Sequence, residues 1–274
     1  MKLKALALCL FALLLCSCND FEDTNDYIDS HTVVAAMGAS LMSPDNNWFI
    51  DACTMLECGA YNKAICGTKP VDYAEKLWKN SYCTEAEFDN IDILAIQFAN
   101  AGDVFTCDDF KEKSADYTKG FNRFSKENPF SIYNNAQLLD YILKFWQEKC
   151  QNQKYHSSSK WFNSTEGKPF KVILVTHWHD ARTSYNESIR KLAKKWNIQV
   201  CEFDTNIGFS KNEPLADGTQ PSVAYARDTE VIDNIVYGWH PLVGKEGTEI
   251  QARMANIFAE TLLKSGYINH DSNY

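Results

Sequence analysis

The sequence lacks a hydrophobic run long enough to cross a bilayer. The apolar stretch at residues 5–15 is too short, and no later stretch is long and apolar enough for a membrane helix. It also lacks an excess of positive charge: 27 Lys and Arg stand against 36 Asp and Glu, for a net charge of −9. That balance excludes nucleic acid as the main partner, because phosphate contacts need concentrated cations. Among ten cysteines there is no C-x-x-C pair and no zinc-type cluster. Setting aside Cys9, Cys16 and Cys18, the remainder (Cys53, Cys58, Cys66, Cys83, Cys107, Cys150 and Cys201) is odd in number and cannot form a closed disulfide framework, although one disulfide stays open. Cys66 and Cys201 lie in apolar stretches and are expected to be buried thiols. No internal repeat is visible. What is present is ordinary globular composition, 45% hydrophobic and 23% charged, which rules out a disordered or fibrous chain.

Lys2 and Lys4 precede the short apolar run, which ends in Leu15-Cys16-Ser17-Cys18. This pattern resembles a bacterial lipoprotein signal. The resemblance implies cleavage before Cys18, lipid on that cysteine and an extracytoplasmic, membrane-anchored protein. An ordinary secretory signal with incidental cysteines is the alternative. Residues 19–29 are polar and acidic, so 18–30 reads as a solvated tether before a domain at 31–274.

Within that domain, short apolar runs alternate with longer amphipathic ones. Residues 33–37, 61–66, 91–99, 170–176 and 198–203 read as strands whose near-continuous apolar content suits burial on both faces. Residues 44–57, 71–78, 136–149, 185–196 and 248–264 read as helices, the last with Ile250, Met254, Ile257, Phe258 and Leu262 on one face and Gly266 at its stop. This βα alternation predicts a three-layer α/β/α domain around a five-stranded parallel sheet of flavodoxin-like type. Residues 102–128 and 204–244 read as long irregular segments leaving strand carboxyl ends, where ligands bind in open parallel sheets.

Those strand ends carry the chemistry-bearing residues. After the first strand comes Gly38-Ala39-Ser40-Leu41, with Ser43 and Pro44 as N-cap and first residue of the next helix. A serine on such a turn is exposed beside backbone N–H groups that can stabilise an oxyanion. The plainer reading is a serine that serves only the turn. The second strand runs into Cys66-Gly67-Thr68 and the third into Phe98-Ala99-Asn100-Ala101, while Gly238-Trp239-His240-Pro241 precedes the last helix. Together they supply a nucleophile, two oxyanion donors and a base.

In their order and context these blocks resemble the GDSL/SGNH hydrolase family over residues 31–266. The resemblance implies Ser40 as nucleophile, the Ser40 and Gly67 N–H groups and the Asn100 amide as oxyanion donors, and His240 as base. It also implies serine ester hydrolysis without a cofactor, on a small ester or an acylated glycan, acetyl esters of carbohydrates above all. Trp48 resembles the tryptophan that follows the first block, and with Trp239 it could stack on a sugar ring. Three departures stand out: Ala39 replaces the usual Asp, Asn100 lacks its flanking Gly and Asp, and Tyr237 replaces the Asp three residues before the histidine. These losses predict a Ser40–His240 dyad, with Asp233 a poor substitute by spacing. They also admit a catalytically impaired carbohydrate-binding protein on the same scaffold. A rival motif, Thr176-His177-Trp178-His179-Asp180, resembles the T-H-x-H-x-D-H signature of metallo-β-lactamase-like hydrolases. Asp180 comes one position early, Arg182 replaces the final histidine, and no further ligand is evident, so no metal is expected.

Overall fold

The computed structural model describes residues 32–99 and 135–268. Cys18 and Asn100 lie outside them, as does the segment 102–128.

The elements in chain order are β1 (Val33–Gly38), α1 (Trp48–Met55), β2 (Gly59–Asn62), α2 (Pro70–Trp78), α3 (Glu85–Asn90), β3 (Ile93–Gln97) and α4 (Asn135–Asn152). They continue through β4 (Val172–Val175), α5 (Thr183–Trp196), β5 (Gln199–Cys201), α6 (Phe203–Asn206), α7 (Pro221–Ala224), β6 (Thr229–Ile232), β7 (Ile235–Gly238) and α8 (Thr248–Lys264). Strands β2-β1-β3-β4-β5 form one sheet in which every neighbouring pair is parallel. This is the expected α/β/α sandwich in its flavodoxin-like order.

The central strands are buried because helices cover both faces. On one face α8 presents Ile250, Met254, Phe258 and Leu262 at helical spacing, and packs on α1. Trp48 there meets Phe258 and Phe203 edge-on, at ring separations of 5.4 and 5.0 Å. On the other face α2 packs on α4. Asp140 of α4 accepts from Lys195 Nζ and Trp196 Nε1 at the end of α5, each at 2.6 Å.

Several expected boundaries move. The helix expected from Pro44 starts at Trp48, because the Ser43 hydroxyl and Asn46 amide are turned back to the Ser40 carbonyl. Ser43 is therefore not an N-cap. The second strand ends at Asn62, with residues 63–67 forming the turn beyond it. Helix α3, with a reciprocal Thr84–Glu87 capping box, was not anticipated. The stretch 204–244 holds α6, α7 and the antiparallel β6–β7 hairpin. Cys201 is buried as expected, whereas Cys66 is exposed. No described helix is long and apolar enough to cross a membrane.

Candidate active site

Ser40 follows the carboxyl end of β1 on a turn pinned by two bonds: Ala39 N–H to the Gln97 carbonyl and Met42 N–H to the Ala39 carbonyl, both at 3.1 Å. The turn beyond β2 is drawn to the same edge, since Ile65 N–H donates to the Gly38 carbonyl at 3.0 Å and the Thr68 and Tyr73 hydroxyl oxygens lie 3.2 and 3.1 Å from it. That turn contains Gly67 with φ of +77°, a conformation L side chains rarely adopt, and an added Cβ would meet nothing within 4 Å. Among the described residues the Ser40 and Gly67 N–H groups have no acceptor. The end of β3 is held by Tyr185, whose hydroxyl accepts from Phe98 N–H at 3.1 Å and donates to the Val175 carbonyl at 3.0 Å.

His240 arrives from the opposite end of the domain sequence. Its Nε2 accepts from the Ser40 hydroxyl at 2.8 Å. Its Nδ1 lies 2.7 Å from Asp228 Oδ2, and its backbone N–H donates to Asp228 Oδ1 at 2.8 Å. A carboxylate can only accept, so Nδ1 carries the proton and Nε2 is left with a lone pair toward the serine. The expected dyad is thereby corrected: His240 has a carboxylate partner.

The β6–β7 ladder explains where that carboxylate comes from. Asp233 and Asn234 both have left-handed φ, 51° and 64°, as a two-residue type I′ turn requires. Glu230 then pairs with Tyr237 and Thr229 with Gly238. The pairing continues beyond the named strands, through Trp239 N–H to the Asp228 carbonyl and Arg227 N–H to the His240 carbonyl, each at 2.9 Å. Asp228 therefore sits across from Trp239 and within reach of His240. The family resemblance pointed to position 237 for an acid, but the carboxylate comes from across the hairpin. The sequence signal was present: Asp-Asn flanked by Val231-Ile232 and Ile235-Val236 marks a hairpin, and counting outward from it reaches Asp228.

The segment 177–180 braces this hairpin. Trp178 Nε1–H donates to the Trp239 carbonyl at 2.9 Å and His179 Nε2–H to the Gly238 carbonyl at 2.6 Å. His179 Nδ1 accepts from Ala181 N–H at 3.2 Å, which fixes the neutral tautomer. Burial pushes the His179 pKa down to about 4 and holds His177 well below the usual histidine value. Asn186 completes the brace, accepting from His177 N–H and donating to the His179 carbonyl. Gly238 packs so closely on α7 that a Cβ would lie 2.3 Å from the Ser222 carbonyl oxygen.

His177, His179 and Glu230 offer ligand atoms within 4.8 Å of one another. A metal does not fit them. Both His179 nitrogens are engaged, and Arg182 Nε and Nη2 bind the two Glu230 oxygens, placing a fixed cation beside the cluster. Within this cluster, only His177 Nε2 has no hydrogen-bond partner among the described residues.

The two tryptophans part company. Trp48 is fully buried and its Nε1–H donates to the Leu41 carbonyl at 2.9 Å, so the expectation that it binds substrate is corrected: it is a core residue. Trp239 is half-buried beside His240, stacked on His177 at 5.4 Å with the Arg182 guanidinium 4.6 Å from its ring centre.

Residues 31–265 match the model of a family described as a domain of unknown function, DUF5040. No curated protein matches the sequence. Solved structures that align with the chain include several described as members of the lipolytic G-D-S-L family or as SGNH hydrolases. A member of the lipolytic G-D-S-L family from Veillonella parvula aligns over 85% of this chain and 99% of its own, at 13% identity and a TM-score of 0.42. The C-terminal catalytic domain of a peptidoglycan O-acetyltransferase from Streptococcus pneumoniae aligns over 86% and 94%, at 13% identity and 0.39.

Proposed function

The chain belongs to the family described as a domain of unknown function, DUF5040, and from its site we propose that it is a serine ester hydrolase. The observation that carries this reading is the continuous chain from Asp228 through His240 to Ser40, with links of 2.7 and 2.8 Å. Binding alone needs no such relay. The Ser40 oxygen attacks the acyl carbonyl as His240 Nε2 takes its proton, and Asp228 stabilises the imidazolium that forms. The Ser40 and Gly67 N–H groups and the Asn100 amide are proposed to receive the oxyanion. His240 then protonates the leaving alcohol, and a water deprotonated by the same nitrogen releases the acid. No step calls for a cofactor.

The proposed substrate is an acetylated carbohydrate, supported by the family resemblance and by Trp239 beside the base. Lipid at Cys18 is proposed from the leader pattern, and would hold the site outside the cytoplasm. The test is hydrolysis of p-nitrophenyl acetate and of acetylated glycans by the native protein and by Ser40→Ala. Native turnover that falls by at least about 10³-fold in the variant is expected. Equal rates in the two proteins would overturn the reading.

A further inference from the structure

Two buried amide side chains join the serine turn to the histidine hairpin. Asn46 is fully buried and Gln251, in the first turn of α8, is 3% exposed. Asn46 Nδ2–H donates to the Ser40 carbonyl at 2.6 Å. Its Oδ1 receives Gln251 Nε2–H at 3.4 Å, and the same Nε2 donates to the Leu242 carbonyl at 2.8 Å. Gln251 Oε1 in turn accepts from Trp48 N–H, the first residue of α1, at 3.1 Å. One end of this relay holds the peptide of Ser40. The other holds the chain two residues beyond His240, across the rigid Pro241.

Burying two amides is costly unless their polar atoms are satisfied. Here the bonds run in one direction: an apolar or anionic side chain of like shape at Gln251 would take this donor from the Leu242 carbonyl, and one at Asn46 would leave the Ser40 carbonyl to Ser43 alone and cut it from Gln251. The first block has Ala39 where a bracing acid is usual, and the Ser40 carbonyl is held instead by Ser43 and by Asn46, which is tied in turn to Gln251 of α8. From this geometry we propose that Asn46 and Gln251 are positioning residues: they set the separation of the Ser40 oxygen from His240 Nε2. The proposal rests on the hydrolase reading for its kinetic consequence, but not for its structural one. Misplacing a reacting group by about 1 Å can cost roughly 10²-fold in rate while substrate binding is left alone.

The experiment compares native protein, Asn46→Leu, Gln251→Leu and the double variant. Gln251→Glu is a second choice that keeps the acceptor for Trp48 N–H but removes the donor. Circular dichroism first establishes that each variant is folded. With p-nitrophenyl acetate, kcat is expected to fall about tenfold or more in each single variant, with KM within about twofold. The double variant should be little worse than the poorer single one, because both break the same relay. Crystal structures of the variants should show the Ser40 Oγ to His240 Nε2 separation beyond hydrogen-bond range. A separation still near 2.8 Å, or an unchanged kcat in a protein that hydrolyses the ester, would overturn the proposal. If the native protein hydrolyses no ester, the hydrolase reading falls, and the crystallographic comparison still decides the relay.

Discussion

Asp228 is half-exposed while its partner His240 is mostly covered, so solvent reaches the carboxylate more than the imidazole. In such an arrangement the acid fixes the histidine tautomer and offsets the imidazolium charge. Asp228→Asn keeps the shape but removes that charge, and its kcat is expected to drop by about 10³–10⁴ with KM little changed. Tyr237→Asp, which a dyad would welcome, is expected to lower activity too. Tyr237 is buried, stacks on His179 at 6.1 Å and pairs with Glu230, so the new carboxylate would be buried beside another. A gain of activity in Tyr237→Asp, measured beside Asp228→Asn, would contradict this assignment. At this scale the serine and histidine were legible because each ends a recognisable local motif. Asp228 was not found, because its role depends on pairing between strands and not on its own neighbours in sequence.

Elements show the same division. α8 was legible to its last residue, since its apolar stripe and the glycine after it are properties of one continuous segment. The start of α1 was misread because Ser43, a good N-cap in isolation, turns its hydroxyl to the Ser40 carbonyl, where the Asn46 amide joins it. Trp48 was misread for a related reason: its place after the serine block suggested substrate, while its ring is locked between Phe49, Phe203 and Phe258. Trp48→Ala is expected to cost about 3–5 kcal/mol of stability in chemical denaturation, as a large core truncation does. A variant of native stability with a selectively raised KM would instead return Trp48 to the substrate site.

Across the whole molecule, acid should loosen the brace that carries the base. His179 titrates near 4 when folded and near 6.5 when unfolded, so between those values the unfolded chain binds more protons. Stability is therefore full above about pH 6.5 and declines as pH falls toward 4, by about 3 kcal/mol from His179. His177, also held low by burial, acts in the same direction. Urea midpoints at pH 7 and pH 5 check this. The native protein should lose stability over that interval, and His179→Gln, which retains a donor for the Gly238 carbonyl, should lose less. An equal loss in both would show that the brace is not the acid-sensitive part.

The central claim is that Ser40 is a nucleophile activated by His240 and Asp228. The most direct measurement is reaction of the native protein with a fluorophosphonate, followed by mass spectrometry of the modified peptide. The expected result is one adduct, on Ser40, absent from Ser40→Ala and slow to form in Asp228→Asn. An adduct on another residue, or equal labelling of native protein and Ser40→Ala, would contradict it.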